Sequence, residues 1–268
     1  MATAAARPAK VPPGFERQEI NVNGANVVLF VGGTGEPLLF LHGAGTVSGF
    51  NAVTSWAQKF SVYVPYHPGF GESPDSAAFT SINDYVLHYL DLLDHLALDK
   101  VHLVGLSLGG WIAATLAAQQ SQRLKKLVLI GPAGLRVPAH PTLDIFGLKP
   151  EDVPAHLVED PAVLAPHVPD PAGPDFLDFL VNDYHEMSSY ARVAWERPYD
   201  PKLARWLHRI KVPTLLLYGS RDRVTPVEQS KTWASLIPHA DVKIVEGAGH
   251  LVLDESAEGP RAVLDFLS

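Results

Sequence analysis

Cysteine is absent from all 268 residues, which removes disulfides, thiolate zinc sites, iron–sulfur clusters and thiol nucleophiles together. No apolar run approaches 18 residues, so no membrane span is expected. No block of Lys and Arg supplies the field that would hold a polyphosphate, so nucleic acid is not expected as a partner. The balance runs the other way: 29 acidic against 21 basic residues give a formal net charge of -8. The opening MATAAARPAK lacks the apolar stretch of a secretory signal. Residues 1–11 read as a disordered leader, and a cytoplasmic location is the expectation. No heptad or extended basic feature names a macromolecular partner, and the oligomeric state is left open.

What is present is the material of a core. Apolar residues make up 47% and charged residues 19%, a globular balance. Gln18–Val22 and Ala25–Val31 flank Asn23-Gly24, the dipeptide of a tight hairpin turn. Continuous apolar runs follow at 37–41, 62–64, 101–104, 127–130, 214–218 and 242–245, as in strands covered on both faces. Segments of helical period separate them: Ser81–Leu96, Trp111–Gln120, Pro226–Ile237 and Ser256–Leu267. The alternation predicts an α/β fold of about eight mostly parallel strands with helices on both faces.

One stretch departs from it. Residues 132–201 hold 12 of the 23 prolines and no strand-like run, too long for a plain loop. It reads as an insertion, with short helices of its own expected around Asp175–Trp195, that divides the core into 12–131 and 202–268. The same segment contains 12 acidic and 4 basic residues, so 4 - 12 = -8 and the whole net charge lies there.

Gly105-Leu106-Ser107-Leu108-Gly109 sits between a predicted strand and a predicted helix, where a sharp turn lifts a serine hydroxyl above the sheet edge. With Leu41-His42-Gly43-Ala44-Gly45 and Pro68-Gly69-Phe70-Gly71-Glu72-Ser73, this segment resembles the α/β-hydrolase family along nearly the whole chain. The resemblance implies a Ser-acid-His triad in that chain order and a cap, or lid, domain at 132–201. A serine hydroxyl needs a base to take its proton and a third group to orient the base. His250 in Glu246-Gly247-Ala248-Gly249-His250 and Asp222 in Gly219-Ser220-Arg221-Asp222-Arg223 follow the last two predicted strands, at the sheet edge where α/β sites lie. Glu246 and Asp254 are alternative acids, and Arg221 and Arg223 could turn Asp222 outward.

The family pattern also implies an oxyanion hole from the backbone N–H groups of Leu108 and Ala44, with residues 43–45 open as the second donor. His42 is expected to brace its loop. His67 stands where the family often carries an acid. Neither metal nor cofactor is expected.

A serine at 107 excludes the aspartate-nucleophile branches of the family. The leading expectation is a carboxylic-ester hydrolase acting on a small neutral or apolar substrate through an acyl-enzyme, because an acidic cap repels anions. The alternative is a C–C bond hydrolase of vinylogous diketones of the meta-cleavage-product type, with Arg192 or Arg197 holding the substrate carboxylate. A ligand receptor on the same fold is a further alternative. Gly43, Trp111, Phe176, Phe179, Tyr184, Arg192, Trp195, Val224 and Leu251 are the expected substrate-binding residues.

Overall fold

The computed structural model describes residues 11–46 and 50–268. Apart from Val11, the expected leader lies outside the described residues. Eight strands form one sheet: β1 (Phe15–Val22), β2 (Ala25–Gly32), β3 (Glu36–Leu41), β4 (Phe60–Pro65), β5 (Val101–Leu106), β6 (Leu124–Ile130), β7 (Thr214–Gly219) and β8 (Ala240–Val245). Their spatial order is β1-β2-β4-β3-β5-β6-β7-β8. β1 pairs antiparallel with β2, and β2 with β4; every later pairing is parallel. Asn23 and Gly24 take φ of 49° and 90°, the two left-handed positions a type I′ hairpin requires.

Helices α1 (Phe50–Trp56), α2 (Ile82–His95), α3 (Leu108–Gln119), α4 (Pro154–Leu157), α5 (Phe176–Ala194), α6 (Gln229–Leu236), α7 (Val252–Glu255) and α8 (Glu258–Leu267) complete the described chain. Ser81 and Asp84 close a capping box at the start of α2, satisfying N–H groups that would otherwise lack partners. The α2 stripe Ile82, Tyr85, Val86, Tyr89, Leu92 and Leu93 packs with α3 on one face of the sheet. Trp56, Val252, Val263 and Leu267 belong to the core of the other face. Central strands β5 and β7 are buried at every position, and each such Leu or Val contributes about 1.5 to 3 kcal/mol.

β8 corrects an expectation. Its apolar run reads as doubly covered, yet Val242 and Ile244 are exposed because the strand ends the sheet. Between β6 and β7 the described residues form no strand, only α4, α5, single turns and a bridge from Gly134 to Tyr199. The prolines explain this, since they remove ladder donors and end helices. No described helix is long and apolar enough to cross a membrane.

Candidate active site

The turn from β5 into α3 holds Ser107 at φ 53° and ψ -111°, a backbone conformation that costs a non-glycine residue of order 1 to 3 kcal/mol. Neighbouring backbone holds it there. Its N–H donates to Ile130 O at 2.9 Å, and its carbonyl accepts from Trp111 and Ala133 N–H at 3.0 and 3.1 Å. A Cβ on Gly105 would lie 2.4 Å from Gly109 O, and one on Gly109 would lie 2.1 Å from Leu41 O. Both motif glycines are therefore demanded by close backbone approach. The Ser107 side chain makes no capping hydrogen bond to α3, so its hydroxyl is not committed to holding the helix.

Asp222 and His250 come together from the loops after β7 and β8. His250 Nδ1–H donates to Asp222 Oδ2 at 2.8 Å, and both side chains are almost wholly buried. The same oxygen accepts Thr225 Oγ1–H at 2.9 Å. Oδ1 accepts the N–H groups of Val224 and Thr225, each at 2.8 Å. With Nδ1 donating, neutral His250 presents Nε2 as an acceptor. Gly131, at φ 43°, closes over the pair: a Cβ there would lie 2.9 Å from Asp222 Oδ2 and 3.2 Å from His250 Cε1. No hydrogen bond joins the Ser107 hydroxyl to His250 among the described residues; such contacts commonly tighten only around substrate. Arg221 and Arg223 do not turn Asp222 outward, because both pair with Glu159 in the stretch between β6 and β7. Glu246 is exposed, and neither it nor Asp254 takes the His250 contact.

The loop after β3 also approaches Ser107: a Cβ on Gly43 would stand 3.5 Å from Ser107 Cβ. His42 braces this loop as the sequence suggests. Its Nδ1–H donates to Gly43 O at 2.7 Å, while Nε2 accepts His67 N–H at 3.0 Å. His67 Nε2–H donates to His42 O at 2.9 Å, leaving Nδ1 to accept the Tyr89 hydroxyl. A neutral imidazole thus does the bracing where the family often has a carboxylate. Among the described residues no group of three His, Cys, Asp or Glu could hold a metal.

Burial holds His42 and His88 down to about 4, and His67 well below its usual range. From pH 6.5 down to about 4 the unfolded chain therefore binds protons that the folded chain refuses, and stability falls as pH falls through that window. Thermal scans are expected to show Tm dropping across it. His88→Leu should make this acid limb shallower, because it removes one such ring whose buried Nε2 has no partner among the described residues.

Two carboxylates escaped sequence reading. Glu186, on α5, accepts from Thr46 and Gly71. Glu255 accepts Gly249 N–H at 2.6 Å and Glu159 N–H at 2.6 Å, tying the His250 loop to the stretch between β6 and β7. For Glu186 a signal existed: 186, 189, 190 and 194 form the buried stripe of α5, and an acid on such a stripe is unusual.

The expected substrate residues divide. Gly43, Val224 and Leu251 adjoin Ser107, Asp222 and His250. Trp111, Arg192 and Trp195 instead line, with Arg197, a cleft of about 860 Å³ between residues 191–201, the start of α2 and α3, and no residue of the Ser107–Asp222–His250 set lines it. Arg192 is engaged by both oxygens of Asp75. Tyr184 and Trp195 are 72% and 67% exposed. Phe176 and Phe179 stack on each other at 6.2 Å.

A serine on a strained strand-to-helix turn, a buried Asp–His pair and this strand order together match the Alpha/beta hydrolase family, whose model fits residues 38–265. The chain belongs to that family. This hydrolase is 28% identical to the 2-hydroxymuconate semialdehyde hydrolase of Pseudomonas sp. strain CF600, over 94% of this chain and 93% of the relative. It is 26% identical to the 2-hydroxy-6-oxo-6-(2'-aminophenyl)hexa-2,4-dienoic acid hydrolase of Metapseudomonas resinovorans, over 97% and 93%. In fold it is similar to a membrane phospholipase A described as a bacterial virulence factor, with TM-score 0.79 and 24% identity over 95% of this chain and 86% of that one.

Proposed function

We propose that this hydrolase cleaves a carbon–carbon bond beside a ketone in a small vinylogous diketone acid. The reading rests on the near-full-length relatives, one named for a 6-aryl ketone of the 2-hydroxy-6-oxohexa-2,4-dienoic acid type and one for a 2-hydroxymuconate semialdehyde. It displaces the ester reading from first place. Ser107 Oγ adds to the ketone carbonyl and its proton passes to His250 Nε2, with Asp222 holding the ring. The Leu108 and Ala44 N–H groups hold the oxyanion, each worth about 3 to 4 kcal/mol. The C–C bond then breaks, its electron pair spreads into the vinylogous carbonyl, and His250 returns the proton to carbon. Water hydrolyses the acyl-serine by the same route, releasing a carboxylic acid. In this reading residues 132–201 form the cap over the core of 12–131 and 202–268, and the substrate-binding set nearest the chemistry is Gly43, Val224 and Leu251.

A neutral-ester substrate is the second reading, favoured by two observations. Arg192, a candidate anchor for the substrate carboxylate, is committed to Asp75, and the net acidity of 132–201 opposes anions.

A substrate panel separates the two. Turnover of a 6-aryl-2-hydroxy-6-oxohexa-2,4-dienoate, whose keto form is the vinylogous diketone, is followed by loss of its visible absorbance and compared with p-nitrophenyl esters of graded acyl length. The diketone is expected to exceed the best ester in kcat/KM by at least about tenfold, roughly 1.4 kcal/mol of transition-state preference. A short neutral ester ahead of it returns the ester reading, and tight binding without turnover returns the receptor reading.

A further inference from the structure

Glu186 is 3% exposed, and among the described residues no cation pairs with it. Burial pushes its carboxyl up. A carboxylate in such a place is costly unless fully hydrogen-bonded. It is: Oε1 accepts Thr46 Oγ1–H at 2.6 Å, Gly71 N–H at 2.9 Å and Asn182 Nδ2–H at 3.0 Å, and Oε2 accepts Thr46 N–H at 3.0 Å. Three of these four donors belong to the two loops after β3 and β4, while the acceptor belongs to α5 of the insertion. Ser189, one turn on, donates its hydroxyl to Gly69 O at 2.9 Å, and a Cβ on Gly69 would lie 2.4 Å from that hydroxyl oxygen. Helix α5 is thus seated closely on the β4 loop at the point where Glu186 reaches across to the β3 loop.

The β3 loop is held at two places. His42 and His67 fix its start at His42–Gly43, and Glu186 fixes it at Thr46. Ala44 and Gly45 lie between these anchors. We infer that Glu186 is a positioning residue for the oxyanion hole: from the insertion, it sets the Ala44 N–H against the reacting carbonyl. This rests on the assignment of Ala44 as an oxyanion donor in the proposed function. Its consequence is that the donor is in place only while α5 is seated, so substrate enclosure and oxyanion stabilisation are completed by one carboxylate.

An alkyl fluorophosphonate tests this independently of the natural substrate. Ser107 Oγ attacks phosphorus, the P–F bond breaks with loss of fluoride, the hydroxyl proton passes to His250, and the phosphoryl oxygen occupies the oxyanion position. In Glu186→Gln the amide oxygen can keep the three Oε1 bonds, while the NH2 group faces the Thr46 N–H and cannot accept from it. The maximal phosphonylation rate of the full chain is expected to fall about tenfold to a hundredfold, with the half-saturating concentration changed less than about threefold. Thr46→Val, which removes one bond and leaves α5 intact, should lower the same rate about threefold to tenfold and serves if Glu186→Gln does not fold. A folded Glu186→Gln, or failing that a folded Thr46→Val, reacting within twofold of the parent overturns the inference, as does a change confined to half-saturation. Ser107→Ala is run in parallel. If it is still labelled, the reading of the site has failed; if it is silent while the Glu186 and Thr46 variants react normally, only the positioning role has failed.

Discussion

Ser107→Ala is expected to lower turnover by about a million-fold, the scale of nucleophile loss in serine triads, while costing less than about 1 kcal/mol of stability. The two halves of this expectation have separate causes. The hydroxyl makes no capping bond, so the fold does not depend on it. The strained backbone is held by Ile130, Trp111 and Ala133 through main-chain atoms, which alanine retains. The chemistry, by contrast, needs an oxygen nucleophile at the sheet edge, and no other side chain stands on this turn to replace it. Steady-state rates and a melting curve check both halves. Activity within tenfold of the parent would remove Ser107 from the mechanism.

Asp222→Asn should cost about ten-thousand-fold in kcat, with the fold retained, because the tautomer of the base is at stake. The amide oxygen can keep the two N–H bonds from Val224 and Thr225 made by Oδ1. Its NH2 group then occupies the Oδ2 position, where His250 Nδ1–H and Thr225 Oγ1–H both donate. Two donors cannot face a third, so His250 must present an unprotonated Nδ1 and carry its hydrogen on Nε2. In that form it cannot accept the proton of Ser107. Single-turnover rates for Asp222→Asn beside Glu246→Gln are the measurement: the first should collapse and the second should match the parent. A loss below tenfold in Asp222→Asn would return the role to another acid.

Two carboxylates tie residues 132–201 to the loops of the site: Glu186 of that segment accepts from the β3 and β4 loops, and Glu255 of α7 accepts from both Gly249 and Glu159. The surplus acidity of the segment is not all free surface charge. Glu159 is shared by the cations Arg221 and Arg223, which offset its charge, whereas Glu186 meets only neutral donors. The net charge of 132–201 is therefore offset locally at Glu159 by two arginines from outside the segment.

From sequence alone, the α/β class, the hairpin at Asn23-Gly24, the strandless stretch after β6, the strand-to-helix turn at Ser107 and the placing of Asp222 and His250 on the loops after β7 and β8 could be read, because each leaves a local mark. Apolar period reports burial of a strand or helix, Asn-Gly reports positive φ, and a Gly-flanked serine between strand and helix reports a tight turn. Tertiary structure alone decided the placing of β4 between β2 and β3, the exposure of β8, the Tyr89–His67–His42 brace, the capture of Arg192 by Asp75 and the reach of Glu186 to Thr46. The last of these joins residues 140 positions apart. Such contacts arise from which faces pack together after the chain has folded, and no local period or turn residue records the identity of a distant partner.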